Sequence, residues 1–366
     1  MDNHSPLEAE IRRRIAVAGP MPVGEYMALC LSDPTHGYYV TRDPLGASGD
    51  FITAPEISQM FGELIGLWTA AVWTQLGSPE NIRLVELGPG RGTLMKDALR
   101  AVKVLPAFRD AVVLHLVEMS PVLRAQQERA LAEENLPMHW HGALDDVPPG
   151  PAIIIANEFF DALPVHQAVK TPSGWHERCV EVGADDKLAF TAAQEPIPHF
   201  DSVVPQRLRE APVTSIYEWR ADTAAMALGR RIAVEGGAAL VIDYGHSESA
   251  LGDTLQALHR HSYADVLGNP GGADLTAHVD FEAFTRAAEA MGANAFGPID
   301  QSTFLRRLGI ETRAAKLKAR ATREAAADID SALKRLIGHG AGNMGELFKV
   351  VALVQPSLGT PPAFGK

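Results

Sequence analysis

From residue 82 onward the chain alternates short apolar runs with helical patterns, and this alternation restricts the fold more than any other feature. "IRLVELG" reads as a strand and "TLMKDALRAVKVL" as its helix. "VVLHLVEMS" follows as a second strand, "PVLRAQQERALAEE" as a second helix with Pro121 in its first turn, "MHWHGAL" as a third strand and "PAIIIANEFF" as a fourth. The pattern resumes with "AALVIDYG" (238–245), a helix in "VDFEAFTRAAEAMGA", a strand in "NAFGPIDQ", an Arg/Lys/Ala-rich helical stretch over 302–338 and a last strand in "GELFKVVALVQ". Strands that alternate with helices in this way imply a parallel sheet covered by helices.

Around that core, residues 1–80 read as a helical N-terminal extension. Its helices are "PLEAEIRRRIAVAG", "VGEYMALCLSD" and "SQMFGELIGLWTAAVWTQLG", with a long Gly- and Pro-rich loop over 33–56 between the second and third. Residues 81–356 then form the α/β domain, with insertions near 166–230 and 302–338. "HQAVKTPSGWHERCVEV" (166–182) alternates around a Thr-Pro-Ser-Gly turn and is expected to be an inserted hairpin. The last stretch, 357–366, is expected to be a disordered tail. A doubly wound sheet of seven strands is the architecture of class I methyltransferases.

Composition narrows the function. A net charge of −12 over 366 residues argues against a protein built to grip nucleic-acid phosphates. The two cysteines, Cys30 and Cys179, lie in no CxxC pair, so neither a disulfide framework nor a structural zinc site is expected, and no metal. No run approaches the roughly 20 apolar residues of a membrane span. The first residues mix acids among their arginines, unlike a secretory or transit peptide. A cytoplasmic protein is therefore expected.

The turn "ELGPGRGT" (86–93) carries the first chemistry. Glycines between a first strand and its helix let the backbone pass close to a nucleotide-like ligand that faces the helix amides. The dinucleotide fingerprint needs glycine where Thr93 stands, and no GxxxxGK[ST] phosphate loop occurs. Glu118, at the tip of the second strand, is placed to receive ribose hydroxyls. Together these suit S-adenosylmethionine, held by Gly88, Pro89, Gly90, Gly92, Thr93 and Glu118. Glu86 would face the cofactor's ammonium group or the loop's own amides.

The fourth strand ends in "ANEFFDALP", which brings Asn157, Glu158 and Asp161 to the carboxyl edge of the sheet beside the first strand. Methyl transfer needs a positioned nucleophile and exclusion of water more than acid chemistry, so carboxylates here describe the acceptor: an amine or a guanidinium. Two carboxylates can orient a protonated guanidinium and localise its charge away from the attacking nitrogen. "PGGADLTAHVDF" (270–281) follows the fifth strand, and its His278 is a candidate to take up a proton. "GHSES" at 245 is not a serine-hydrolase elbow.

The blocks "GDFITAPEISQMFGELIG", "VELGPGRGTLMKDALR", "VEMSPVLRAQQ", "ANEFFDALPVHQ", "VIDYG", "PGGADLTAHVDF" and "MGELFKVV" run in order from residue 49 to residue 351. They resemble the MidA family, the mitochondrial complex I assembly-factor type of protein arginine methyltransferase. The resemblance implies a class I methyltransferase fold that binds S-adenosylmethionine and methylates an arginine of a protein such as a complex I subunit. It also marks the block with Gly49, Asp50, Phe51, Thr53 and Glu56 as part of the site, so Gly49, Asp50 and Thr53 join the expected cofactor contacts. The expected partner is a protein substrate with a target arginine, with no nucleic acid, no membrane insertion and the oligomeric state open, a dimer included. The alternatives are a cofactor-binding assembly chaperone without catalysis and a methyltransferase for a small-molecule acceptor.

Overall fold

The computed structural model describes residues 4–41, 52–220, 222–259 and 262–365, and the chain falls into two compact units. The larger takes the described parts of Ile52–Phe160, Asp222–Ser247 and Phe281–Lys366. It contains the alternation read from the sequence: β1 (Ile82–Leu87), β2 (Val112–Val117), β3 (Met138–His141), β4 (Ala152–Asn157), β5 (Gly237–His246), β6 (Asn294–Asp300) and β7 (Phe348–Val354). These strands lie in the order β6-β7-β5-β4-β1-β2-β3. All neighbours up to β5 are parallel, and β7 runs antiparallel to both β5 and β6. The chain order reverses between β1 and β4, and in such sheets ligands bind outside the carboxyl ends of the strands at that point.

Packing explains why these runs are strands. Ile153, Ile154 and Ile155 of β4 are all fully buried, as are Leu240, Val241 and Ile242 of β5, so both faces of the central strands are covered. One covering layer is the helix Gln59–Gln75 against the helix Thr93–Ala101. These helices approach closely because Gly62 and Gly66 face the second one: a Cβ at Gly66 would lie 2.5 Å from the Ala98 carbonyl oxygen. The apolar stretch "LIGLWTAAVW" therefore serves mainly the core, with Ile65 and Trp68 fully buried.

The second unit takes the described parts of Met1–Phe51, Asp161–Ala221 and Glu248–Asp280. Its helices Pro6–Ala18 and Val23–Ser32 match the sequence expectation, the first capped by Ser5, whose hydroxyl accepts from the Glu8 amide at 3.1 Å. The expected hairpin is present as strands Val165–Thr171 and Gly174–Val182, which close at the pair Thr171 and Gly174. Strand Ile216–Arg220 pairs with Val165–Thr171 on the other edge. Leu7, Ile11, Tyr26 and Met27 from the helices share one apolar cluster with Val165, Val180 and Leu275.

Two expectations on domain boundaries need correction. Residues 1–80 are not one extension: the described residues 4–41 belong with the Asp161–Ala221 segment, whereas Gln59–Gln75 covers the large sheet. The apolar faces of the first two helices find their partners on the hairpin, which is remote in sequence. The tail is also ordered into the larger unit. Leu358 is buried, the Phe364 ring lies 5.7 Å from that of Phe304, and the Pro362 and Ala363 carbonyls accept from Trp68 Nε1 and Arg307 Nη1. Composition counts residues, and it misses that this short segment has apolar surface and donors waiting for it.

Candidate active site

The glycine turn follows β1 directly. Gly88, Gly90 and Gly92 have φ of 61°, 54° and 79°, a region that side chains other than glycine rarely adopt. The Gly88 amide donates to the Val117 carbonyl at 3.0 Å, and the Gly92 amide to that of Pro89 at 2.8 Å. Gly88 is exposed and Pro89 buried, and Thr93 opens the helix Thr93–Ala101 behind the turn. A Cβ on Gly88 would also lie 2.9 Å from the Phe159 ring, which leaves room for backbone alone.

Two carboxylates face this turn from the same unit. Glu86, near the end of β1, is 3% exposed, and its Oε2 is buried without a hydrogen-bond partner. Burial, assisted by the charge of Glu118, pushes its carboxyl up to about 8. Glu118 follows β2, and burial raises its carboxyl as well, opposed by donors. The Ser120 amide donates to Oε1 at 2.8 Å and Gln127 Nε2 to Oε2 at 3.2 Å. Each oxygen keeps acceptor capacity, since a carboxylate has about four lone-pair sites.

Gln127 escaped the sequence reading. It is fully buried on the helix Pro121–Leu131, donates to the Gly90 carbonyl at 2.7 Å as well as to Glu118, and accepts from Trp140 Nε1 at 2.9 Å. It therefore ties the glycine turn to Glu118. A buried amide on an otherwise apolar helix face was the available signal.

At the end of β4, Asn157 is buried, with Oδ1 unpartnered and Nδ2 donating to Glu158 Oε1 at 3.2 Å. Glu158 Oε1 also accepts from the Ala54 amide at 3.0 Å, at the start of the short helix Ala54–Ile57. The Glu158 backbone has φ 51°, a strained conformation for a residue with a Cβ. It is held there by fully buried Asp243 of β5, which the sequence reading also missed. Asp243 Oδ2 accepts from the Phe159 and Phe160 amides at 3.2 and 2.9 Å, and the Glu158 amide donates to the Ile242 carbonyl at 2.9 Å. An acid ending a run as apolar as "AALVI" was the signal there.

Of the early loop, Thr53 caps the helix Ala54–Ile57 without a side-chain bond to it, and Glu56 lies 3.6 Å from Arg91 of the glycine turn. Gly49 and Asp50 lie outside the described residues. Asp161 and His278 belong to the second unit. Asp161 is buried, and its carbonyl accepts from the Ala277 amide at 3.1 Å; the His278 amide donates to Thr254 Oγ1 at 2.9 Å. Asp274, likewise buried, accepts from Tyr39 Oη at 2.9 Å. The charges of Asp274 and Asp161, added to burial, hold the Tyr39 hydroxyl well above its ordinary range. Among the described residues, no group of three or more His, Cys, Asp or Glu side chains is placed to hold a metal ion, and no helix is long and apolar enough to cross a membrane.

The larger unit's residues fit a nucleoside cofactor that carries an amino-acid moiety. The glycine turn admits close approach, Glu118 retains acceptor capacity for hydroxyls, and the orphaned Glu86 oxygen suits a cation.

Comparison with known proteins agrees with this arrangement. Residues 64–299 match the family described as S-adenosyl-L-methionine-dependent methyltransferase. The chain is 41% identical to the mitochondrial protein arginine methyltransferase NDUFAF7 of Mus musculus, over 84% of this chain and 75% of the relative. It is 40% identical to the Homo sapiens protein of that name, over 84% and 74%. It is 38% identical to the mitochondrial homolog in Drosophila melanogaster, over 96% and 85%. A crystal structure from Burkholderia thailandensis bound to S-adenosyl-homocysteine superposes with a TM-score of 0.83 at 30% identity, covering 98% of this chain and 94% of that one.

The relatives overturn the cytoplasmic expectation, since these close homologues are mitochondrial proteins. Sparse cysteines report reducing conditions, which more than one compartment provides, and address signals are read by receptors independently of the folded body. Sheet order, glycine turn, family match and relatives agree, and the chain belongs to the S-adenosyl-L-methionine-dependent methyltransferase family, with the mitochondrial NDUFAF7-type enzymes among its relatives.

Proposed function

We propose that this methyltransferase modifies an arginine side chain of a protein, and that a respiratory complex I subunit is the substrate to try first. The observation that carries this reading is Glu158. It is a carboxylate beside the glycine turn's strand, held in a strained backbone conformation by Asp243 and oriented through Oε1 by the Ala54 amide and Asn157. Strain kept at a carboxylate that could relax by becoming glycine points to function. The relatives named protein arginine methyltransferases support the same acceptor.

In this reading Glu86, Gly88, Pro89, Gly90, Gly92, Thr93 and Glu118 hold the cofactor, with Gln127 bracing two of them and Gly49, Asp50 and Thr53 contributing from the early loop. When bound, S-adenosylmethionine supplies a methyl group on a sulfonium, an electrophile that leaves a neutral thioether behind. Glu158 and Asp161 orient the protonated guanidinium and draw its charge away from the nitrogen that attacks. Asn157 keeps Glu158 aimed through its amide. His278 is the candidate to take up the proton released afterwards.

The test is transfer of labelled methyl from S-adenosylmethionine into proteins of a lysate from cells lacking this gene, with wild type and Glu158→Gln compared and any labelled band identified by mass spectrometry. Glutamine keeps an acceptor oxygen for Ala54, so the variant should bind cofactor normally. A band labelled only by wild type, with the added mass on arginine, is the expected result. Label on another side chain or on a small molecule would reject the arginine reading; loss of cofactor binding together with transfer would reject the division of labour.

A further inference from the structure

Strand Ile216–Arg220 places Glu218 and Arg220 two residues apart and therefore on one face. Both side chains reach segments far away in sequence. The Arg220 guanidinium donates through Nε to the Leu163 carbonyl at 3.2 Å, through Nη1 to that of His278 at 2.6 Å, and through Nη2 to those of Asp161 at 3.1 Å and Ala277 at 2.6 Å. Glu218, 7% exposed, accepts through Oε1 from Gln167 Nε2 at 2.6 Å and the Thr254 amide at 3.0 Å, and through Oε2 from the Thr254 hydroxyl. That hydroxyl in turn accepts from the His278 amide at 2.9 Å.

All these residues belong to the second unit, and the strand is anchored by its pairing with Val165–Thr171. We infer that Arg220, supported by Glu218, is a positioning residue for methyl transfer: it fixes the backbones of Asp161 and His278 in one register. The inference rests on the reading that assigns these two residues to the acceptor.

The donor set accounts for the choice of arginine. Four carbonyls from two separate segments converge on one planar group, and only a guanidinium has enough fixed N–H bonds to serve them together. Lysine would keep the charge but presents a single nitrogen, so the segments would lose their common register. Such a loss disturbs the backbones of Asp161 and His278, which the proposed function assigns to the acceptor, and leaves the glycine turn unchanged.

The experiment compares wild type, Arg220→Lys and Trp175→Phe, a core change in the same unit outside this network. It measures S-adenosylmethionine affinity by calorimetry, the melting temperature, methyl transfer into the gene-deleted lysate at saturating cofactor, and amide hydrogen exchange read by mass spectrometry. Arg220→Lys should lower transfer roughly 10- to 100-fold, the scale of a misplacement near 1 Å. Its cofactor affinity should stay within a factor of about two, because the glycine turn is untouched. Exchange should accelerate in peptides that contain Ala277 and His278 and not in Val23–Ser32. Trp175→Phe should keep the wild-type rate per folded molecule.

Wild-type transfer by Arg220→Lys, or a decline no larger than Trp175→Phe shows at equal loss of melting temperature, overturns the assignment. Unchanged exchange at Ala277 and His278 overturns it as well. If wild type itself labels no protein, the arginine reading fails visibly in that control, and the exchange arm still decides whether Arg220 holds these backbones.

Discussion

Glu86 shows how much chemistry one walled-in carboxyl can carry. Its pKa of about 8 arises from burial first and from Glu118 second, so the ligand-free native state holds a proton that the unfolded chain has released. An acid raised in the folded state contributes stability that is lost as pH rises, here from the ordinary value near 4.5 up to about 8. Each pH unit in that window costs about 1.4 kcal/mol at most. Glu86→Gln should therefore melt at a higher temperature than wild type at pH 8 without cofactor, and the difference should vanish near pH 4.5, as scanning calorimetry would show. A cationic group against Glu86 reverses the preference. Cofactor binding should release a proton and tighten between pH 6 and 7.5 in wild type and not in Glu86→Gln, which calorimetry in two buffers of different ionisation enthalpy can read. A pH-independent wild-type affinity would remove Glu86 from the ammonium's surroundings.

At the scale of elements, the turn after β1 and the helix Pro121–Leu131 act together through Gln127. Gln127→Leu leaves Trp140 Nε1, the Gly90 carbonyl and one Glu118 oxygen without their partner. Unsatisfied buried groups cost about 1–3 kcal/mol each. The variant should unfold at lower denaturant concentration and bind S-adenosylmethionine roughly tenfold more weakly, the equivalent of about 1.4 kcal/mol. Gly88→Ala meets two obstacles at once, a φ of 61° and a contact at 2.9 Å with Phe159. The left-handed conformation alone costs about 1–2 kcal/mol. Lost cofactor affinity with little loss of secondary structure by circular dichroism is expected. β4 and β5 show a similar coupling: Asp243 within β5 sets the turn after β4.

At the scale of the whole molecule, the sheet edge at β2 and β3 adds a histidine cluster whose protonation opposes folding in acid. His115 Nδ1 lies 2.9 Å from His141 Nε2, and the ring of His115 stacks at 5.3 Å on that of His139. Burial, followed by the charges of His141 and His139, pushes His115 down to about 4. A base depressed in the folded state contributes stability that is complete above its unfolded value near 6.5 and is lost as pH falls toward about 4. The melting temperature should drop across that window, and His115→Gln should flatten the drop. An equally steep acid transition in the variant would place the sensitivity elsewhere.

The core sheet was legible in the chain because each of its elements is a local pattern: a buried run, a glycine or proline boundary, a helical period. The succession of strands along the chain, the glycine turn and the acid after β2 all follow from such patterns. The partners that complete the site are not local. Gln127 meets Gly90 across 37 residues, Asp243 meets Phe159 across 84, and Arg220 meets Ala277 across 57. No period in a sequence records contacts of that range. The division into two units, the docking of the last residues and the choice of buried polar groups that brace the turns were decided only when the chain closed on itself, because a buried donor or acceptor is satisfied by whatever the tertiary fold brings within reach.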